Sequence, residues 1–257
     1  MKFFVTALFA GAMFFYAPNS QAETIRVGSD SDYPPFSYVD SNNNPKGFDV
    51  ELIKAVCDEM KVTCSIRFQE FDGLIPGLLA SKYDVILSSI SVTEERKKIV
   101  DFTDPYYSSV FEIGVQKNSS IKDVKPQSLK GKVLGAKGST TQGMYAEDVY
   151  GPAGAIVKLY RTTDEANSDL ATGRLDALIH DKFPLDTWLA TKGKACCKLL
   201  GEVEDTRVPI AMAVRKNSPE LLSRLNKAIA TVHANGTYKK IYDKYLKIEN
   251  YQSNGEK

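Results

Sequence analysis

The sequence predicts an α/β protein of two lobes, each a mainly parallel sheet flanked by helices, joined by a two-strand hinge. Three observations support this prediction. Strand-like and helix-like stretches alternate through the first half of the chain, and the alternation restarts after Pro105-Tyr106-Tyr107. The last part of the chain then adds one more strand and two helices. An order of βαβαβ is typical of parallel strands that helices cover on both faces.

In the first half, each helix follows from apolar residues at helical spacing and each strand from a short apolar run. Between residues 47 and 60, for example, Phe48, Leu52, Ile53 and Val56 fall on one helical face. The predicted elements are a strand at 25–27, a helix at 47–60, a strand at 65–68, a helix around 74–79, a strand at 84–87 and a helix that begins at Thr93.

The second half repeats the pattern, and the chain then returns to the first lobe. Its predicted elements are strands at 111–116 and 133–136, a helix that opens near Ser139, a helix at 164–172, strands at 175–179 and 208–214, and helices at 218–233 and 237–246. We assign residues 23–109 and 208–257 to lobe 1 and residues 110–207 to lobe 2. Two crossings between the lobes form a hinge above a cleft, which suits capture of a small ligand.

Residues 1–22 form a predicted signal peptide that is cleaved after Ala22. Lys2 precedes an almost unbroken apolar run from Phe3 to Ala17, and small residues follow at 20–22. That run is short for a membrane span and typical of a secretory signal. We therefore expect a secreted, periplasmic protein.

The composition argues against several functions. The chain has 33 Lys and Arg against 32 Asp and Glu, so it lacks the basic excess of a nucleic-acid-binding protein. It also lacks a zinc-protease HExxH motif, a hydrolase GxSxG motif and a phosphate-binding loop motif. We expect no enzyme activity, no metal and no cofactor.

Cysteines in an exported protein are disulfide candidates. Cys57 and Cys64 lie near each other, at a predicted helix end and strand start, and we expect them to be bonded. Cys196 and Cys197 are adjacent, which makes a bond between them geometrically awkward, and the sequence leaves their state open.

Arg96 is the most informative polar residue. It lies in the first turn of the helix that Thr93 caps, where a cation is disfavoured by the helix dipole. An arginine there is explained if it faces an anion, and a guanidinium pairs best with a carboxylate. The alternative is a solvated arginine on a charged helix. Three serines, Ser88, Ser89 and Ser91, come just before it at the end of a buried strand, where α/β sheets bind ligands.

The second lobe offers a complementary set. Ser139 and Thr140 precede a helix whose backbone N–H groups point at an anion. Asp181 follows the strand at 175–179 and could bind an ammonium group. A carboxylate receptor and an ammonium receptor on facing lobes predict a site for a zwitterion, such as a free amino acid, with closure driven by contacts from both lobes.

A side-chain pocket is predicted from aromatic and acidic residues in loops. Tyr33 and Phe71 could hold an alkyl or cationic chain between their rings, and Asp30 and Asp49 could bind its positive end. Each aromatic residue could equally be part of a hydrophobic core.

Six motifs together resemble the amino-acid-binding proteins of ABC importers, solute-binding protein family 3. They span essentially the whole chain after the signal: 28–37 (GSDSDYPPFS), 47–52 (GFDVEL), 71–76 (FDGLIP), 84–96 (DVILSSISVTEER), 101–107 (DFTDPYY) and 235–242 (NGTYKKIY). Within that family the chain is most similar to the lysine/arginine/ornithine- and histidine-binding proteins, which carry a disulfide placed like Cys57–Cys64.

The resemblance implies a periplasmic-binding-protein fold and a role for each candidate residue. It implies that Arg96, Ser91 and Thr140 hold the α-carboxylate of an amino acid, and that Asp181, Ser88 and Ser89 hold its ammonium group. Tyr33 and Phe71 then flank the side chain, Asp30 meets a cationic end, Asp49 contributes more remotely, and Ser139 lies near the ligand.

The resemblance also implies an inner-membrane ABC permease as partner, and we expect the binding protein to be a monomer. It leaves alternatives for the ligand, since relatives that bind opines or glutamine share most of the motifs, and the cationic preference depends on Asp30.

The stretch 201–209 is shorter than in the lysine/arginine/ornithine- and histidine-binding relatives, and His180 and Lys182 are unusual neighbours for Asp181. A cyclohexadienyl dehydratase-like enzyme on the same fold and a receptor-docking sensory domain are the alternatives from other classes.

Overall fold

The computed structural model describes residues 23–247, so the predicted signal at 1–22 and the end of the predicted lobe 1 at 248–257 lie outside them. Strands and helices alternate along the described residues. The strands are β1 (Thr24–Ser29), β2 (Asp32–Tyr33), β3 (Ser37–Val39), β4 (Pro45–Lys46), β5 (Thr63–Phe68), β6 (Val85–Ile86), β7 (Val100–Phe102), β8 (Tyr107–Gln116), β9 (Val133–Lys137), β10 (Ile156–Tyr160), β11 (Ala177–Asp181), β12 (Cys197–Ile210) and β13 (Ala213–Arg215). The α-helices are α1 (Phe48–Met60), α2 (Leu74–Leu79), α3 (Glu94–Lys97), α4 (Thr141–Tyr145), α5 (Thr163–Ala171), α6 (Lys182–Ala190), α7 (Pro219–Ala234) and α8 (Thr237–Tyr245).

Two five-stranded sheets organise the molecule, one in each lobe. The first has the order β5-β1-β6-β13-β7 and the second β10-β9-β11-β8-β12. In each sheet three neighbouring strands are parallel, β5-β1-β6 and β10-β9-β11. The other two strands join antiparallel, so both sheets are mixed, with a parallel part that matches the predicted βαβ units.

The antiparallel strands come from the segments that pass between the lobes. β8 begins at Tyr107 and β12 ends at Ile210, and the two pair with each other. The predicted single strand at 208–214 is wrong in one respect, because the chain leaves the second sheet at Ile210 and enters the first at Ala213. Ala211 and Met212, which lie between the two strands, are also buried. The apolar run in the sequence is therefore continuous, although the strand is interrupted.

The first lobe has a core formed by α1, α7 and α8 against its sheet. α1 buries Leu52, Ile53 and Val56, the apolar face predicted from the spacing. α7 packs against it with Leu225 and Ile229, which lie in the same hydrophobic cluster. Helices α7 and α8 therefore complete the lobe that β1 and α1 begin.

Several elements were not predicted, among them β10 and α6. The edge strand β10 exposes most of its residues and contains Lys158. Helix α6 contains Pro184 near its start, where proline is tolerated because the first N–H groups of a helix have no intrahelical acceptor. Neither segment has the buried apolar run or the long helical stripe on which the sequence prediction depends.

Cys57 and Cys64 are joined by a disulfide, as expected, and it links the last turn of α1 to β5. Cys196 and Cys197, left open by the sequence, are also bonded to each other. Within residues 23–247, no helix combines the length and the apolar character that a membrane span requires.

Candidate functional site

A cavity lies between the two lobes and collects polar residues from both. The unfilled space between its walls, including the part open to solvent, is about 280 Å³. Seven of the predicted site residues line it: Tyr33, Phe71, Ser88, Ser89, Ser91, Thr140 and Asp181. Three further lining residues were not predicted as site residues: Lys137, Thr141 and Gln142.

The position of the cavity follows from the strand directions. Asp30 comes directly after β1, and Ser88 comes two residues after β6. Lys137 and Asp181 are the last residues of β9 and β11. All four are thus at the carboxyl ends of parallel strands, and these ends of the two sheets face the same cleft, which is where open α/β sheets bind ligands.

Arg96 is buried, and its guanidinium bridges the two lobes. Thr93 caps α3 by accepting a hydrogen bond from the backbone N–H of Arg96. The Arg96 Nη1 donates to the carbonyl oxygen of Ser91 at 2.9 Å, and Nη2 donates to the carbonyl oxygen of Ser139 at 3.3 Å. Burial lowers the pKa of Arg96 to about 10, so the side chain stays charged at neutral pH. Arg96 does not line the cavity. Its guanidinium carbon lies 5.6 Å from the ring centroid of Phe71, which does line the cavity.

Asp181 brings the opposite charge from the second lobe. Its Oδ2 accepts a hydrogen bond from the Tyr33 hydroxyl, across the cleft. Its Oδ1 is buried and has no hydrogen-bond partner among residues 23–247. Burial raises the pKa of Asp181 to about 6, while the hydroxyl groups of Tyr33 and Ser109 and the positive charge of Arg96 act the other way. Arg96 and Asp181 are therefore electrostatically coupled in one cleft rather than lying on unrelated surfaces.

The three serines of the first lobe differ in how they are held. Ser88 accepts a hydrogen bond from the backbone N–H of Asp30 at 2.9 Å. Ser91 and Thr141 share a hydrogen bond of 3.0 Å between their hydroxyl groups, which joins the two lobes. Ser89 has a left-handed φ of 47° and donates its N–H and its hydroxyl to Asp49.

Asp49 does not lie where it could bind the positive end of a ligand side chain in this cavity. It is buried, and it does not line the cavity. Its Oδ2 accepts from Ser89, and its Oδ1 accepts from the Tyr106 hydroxyl at 3.1 Å. Burial raises its pKa to about 7 against these hydrogen bonds. The role that these contacts support is to fix the strained loop that carries Ser89.

Ser139 and Thr140 shape the second-lobe loop. Ser139 has a left-handed φ of 59°, and its carbonyl oxygen, not its side chain, contacts Arg96. The Thr140 hydroxyl donates to the carbonyl oxygen of Lys137 at 2.6 Å and accepts from the N–H of Gly143 at 3.1 Å. Thr140 lines the cavity while capping α4, whereas Ser139 does not line it.

Tyr33, Phe71 and Asp30 surround one end of the cavity, but a side chain of the protein itself occupies their centre. The Lys137 ammonium forms an ion pair with Asp30 and lies 5.9 Å from each of the ring centroids of Tyr33 and Phe71. Asp30 is therefore next to the cavity wall and not one of its lining residues. Sequence reasoning missed Lys137, although a charged residue at the end of a buried strand was a signal that could have identified it.

His180 lies beside this end of the cavity. Its ring is buried, 5.5 Å from the ring of Tyr33. Burial lowers its pKa to about 3, with the charge of Lys137 acting in the same direction, so the imidazole is neutral. Within residues 23–247, no cluster of His, Cys, Asp and Glu side chains could hold a metal ion.

Further contacts close the rim of the cleft. The carboxylate of Asp32 accepts from the backbone N–H of Thr163 at 2.5 Å, and Arg161 pairs with Glu70 at 2.7 Å. Both contacts join the first lobe to the second. Together with the Tyr33–Asp181 and Arg96–Ser139 contacts, they describe a closed cleft.

Comparison with known proteins shows what the chain is similar to. The family "Bacterial extracellular solute-binding proteins, family 3" matches residues 25–248. The L-arginine-binding protein of Pseudomonas aeruginosa is 42% identical over 235 residues, 90% of each chain. The histidine-binding periplasmic protein of Escherichia coli is 35% identical over 234 residues, 89% of this chain and 90% of that protein. A solved structure of an ancestral arginine-binding protein bound to glutamine has a TM-score of 0.81 and 35% identity, and the match covers 87% of this chain and 97% of that one. These relatives are solute-binding proteins, which supports a binding role over the dehydratase alternative.

Proposed function

Because the chain belongs to family 3 of the bacterial extracellular solute-binding proteins, we propose that its cleft captures a free amino acid and delivers it to an ABC permease. The observation that carries this proposal is the pair of opposite charges in one cleft. Arg96 comes from the first lobe, Asp181 comes from the second, and both are buried.

The two ends of a zwitterion fit this pair. The α-ammonium group would bind the Asp181 Oδ1, which has no hydrogen-bond partner in the described part of the chain. The α-carboxylate would bind near Arg96, with the hydroxyl groups of Ser91 and Thr140 as further donors. A buried acceptor without a partner costs free energy, and a ligand ammonium would remove that cost. Binding and closure are then favourable together, because neither lobe holds both charges.

The side-chain subsite has two candidate ligands. A cationic side chain is supported by the relatives that are named for arginine and histidine, by the carboxylate of Asp30 and by the two aromatic rings. A polar neutral side chain is the second candidate, because Lys137 already pairs with Asp30 in the closed cleft. Glutamine in the related ancestral structure is consistent with that second ligand.

The proposal also covers the lobe boundaries, the hinge, the export signal and the oligomeric state. Residues 23–109 with 208–247 form one lobe, residues 110–207 form the other, and the paired strands β8 and β12 provide the hinge. The segment 1–22 would direct the protein to the periplasm and be removed after Ala22. We expect it to act there as a monomer.

Titration calorimetry with a panel of free amino acids tests the proposal. We expect the wild-type protein to bind at least one of arginine, ornithine, histidine and glutamine, and Arg96→Ala and Asp181→Asn each to weaken binding about thirtyfold or more. Losing one partner of a buried, hydrogen-bonded charge costs about 2–5 kcal/mol, which corresponds to that range.

Arg224→Ala is the matched control. Arg224 forms an ion pair with Glu23, and neither residue lines the cavity. It should keep the wild-type affinity. The proposal is wrong if Arg96→Ala, folded by circular dichroism, binds as well as Arg224→Ala does.

A further inference from the structure

Lys137 is the most unusual residue of the cleft. It is 3% exposed although it carries a long charged side chain, and it ends strand β9 inside the cavity. Its backbone is fixed by the ladder to β10 and by the Thr140 hydroxyl on its carbonyl oxygen. The ammonium group therefore has a defined position and does not lie on a mobile rim.

The ammonium group of Lys137 has the surroundings that a cationic ligand side chain would require. It pairs with the buried carboxylate of Asp30 and lies 3.8 Å from the carboxylate of Asp32. The ring centroids of Tyr33 and Phe71 each lie 5.9 Å from the ammonium nitrogen. A carboxylate and aromatic faces are the partners that bind ammonium and guanidinium groups in proteins.

Each carboxylate oxygen of Asp30 already accepts one hydrogen bond, and one of the two donors is a cation. Its Oδ2 accepts from Lys137, and its Oδ1 accepts from the backbone N–H of Asp32 at 3.1 Å. Nearby His180 is neutral and adds no negative charge. A cationic ligand in this subsite would meet a like charge at close range, with a poorly hydrated surrounding that screens it weakly.

We propose that Lys137 is a specificity-determining residue that occupies the cation subsite beside Asp30, so that the cleft discriminates against cationic side chains. A neutral side chain that ends in a carbonyl oxygen accepts a hydrogen bond from Lys137 and leaves the Lys137–Asp30 pair in place. A guanidinium or ammonium ligand binds only after it displaces Lys137 from Asp30. This inference rests on the proposed binding of a free amino acid in the cleft.

Arginine and citrulline test the proposal, since they have nearly the same shape and differ in charge. Calorimetry on the wild-type protein should give a lower Kd for citrulline than for arginine. In Lys137→Met, which keeps the length of the stem and removes the charge, the ratio of the arginine Kd to the citrulline Kd should fall at least tenfold.

Lys158→Met is the matched control. Lys158 lies on the neighbouring strand β10, pairs with Asp169 at 2.7 Å and lies 4.7 Å from the ring of Tyr160, but it does not line the cavity. It therefore repeats the chemistry of Lys137 outside the site, and its substitution should leave the ratio unchanged.

The outcomes separate this inference from the function on which it rests. If the ratio in Lys137→Met stays within threefold of the wild-type ratio, Lys137 does not determine specificity. A wild-type protein that binds arginine more tightly than citrulline overturns the inference without any variant, so a variant that fails to fold does not remove the test. If the wild type binds no amino acid of the panel at all, the proposed function itself is wrong.

Discussion

At the scale of single residues, the site depends on charges that the fold keeps away from water. Asp181 is 4% exposed and receives a hydrogen bond only on one oxygen, among the residues that the structure describes. Its ionised form is therefore poorly stabilised before ligand binds, and its pKa is raised to about 6 by burial. An ammonium ligand would stabilise the ionised form, so binding and ionisation of Asp181 are linked.

This linkage predicts how affinity depends on pH. A ligand ammonium prefers the ionised carboxylate, so affinity should be constant between pH 7 and 8 and decrease below pH 6, where Asp181 takes up a proton. With a pKa of about 6, affinity at pH 5 should be about tenfold weaker than at pH 7. Titration calorimetry in buffers of different ionisation enthalpy should also detect proton release on binding at pH 5.

Asp32 provides the control for that titration. Burial raises its pKa to about 6 as well, and it lies at the rim of the cleft, bonded to the backbone of Thr163. Asp32→Asn should keep the pH dependence of binding, because the group that meets the ammonium is unchanged. An affinity that is equal at pH 5 and pH 7 in the wild type would contradict the role of Asp181.

At this scale, a residue's position after a strand can be predicted from the sequence, whereas the side-chain contacts that hold it cannot. Asp181 and the serines line the cavity because the carboxyl ends of parallel strands meet at one edge of a sheet. Asp49 was considered as a partner of a cationic side chain and, from the resemblance, as a more remote contributor; its contacts are with Ser89 and with Tyr106, which is far away in sequence. Lys137 was passed over because its partner, Asp30, belongs to the other lobe.

At the scale of elements, the parts that could be predicted are those with a periodic apolar face or a buried run. Helix α1 matches its predicted span within one residue at its start, since its stripe of Leu52, Ile53 and Val56 is buried. Strand β12 was missed, except for its last residues, because much of it is exposed and its register shifts after Leu199 and after Val203. Such a strand has no period that sequence alone can detect.

The disulfide between α1 and β5 leads to a stability prediction. Cys57→Ser/Cys64→Ser removes a crosslink that closes a short loop of the unfolded chain, so the free energy of unfolding should fall by about 2–3 kcal/mol. Urea denaturation followed by circular dichroism measures this loss. Ligand affinity should change little, since neither cysteine lines the cavity.

The double variant Cys196→Ser/Cys197→Ser tests whether the loss of stability comes from the entropy of the unfolded chain. These residues are adjacent, so their bond closes almost no loop of the unfolded chain. Loop entropy therefore predicts a much smaller loss of stability than for the first pair. Equal losses for the two double variants would show that unfolded-state entropy is not the main source of the stabilisation.

At the scale of the whole molecule, closure joins two lobes whose hydrophobic cores are separate. One core contains α1, α7 and α8, and another belongs to the second sheet, with Phe111, Leu134 and Ile179. Polar contacts between the lobes include Tyr33–Asp181, Ser91–Thr141 and Lys137–Asp30. Phe183 of the second lobe also packs against the first core, with its ring centroid 6.0 Å from that of Phe36 and 6.5 Å from that of Tyr242. A ligand that holds the cleft closed therefore keeps both the polar contacts and this aromatic packing in place.

The contacts across the cleft should contribute unequally to closure. Arg161 and Glu70 form an exposed ion pair at the rim, with side chains 65% and 49% exposed, and such pairs contribute about 0–1 kcal/mol. The Tyr33 hydroxyl donates to the buried carboxylate of Asp181, and hydrogen bonds to charged groups contribute about 1.5–3 kcal/mol. Tyr33→Phe should therefore weaken ligand binding by about tenfold or more, whereas Glu70→Gln should change it less than threefold.

Calorimetry compares the two affinities, and small-angle scattering with and without ligand reports closure. Under saturating ligand both variants should reach the compact form, because each keeps Arg96 and Asp181. Without ligand, Tyr33→Phe should be more open than the wild type. If Glu70→Gln weakens binding as much as Tyr33→Phe does, closure depends on the exposed rim, and the buried opposite charges are not what holds the two lobes together around the ligand.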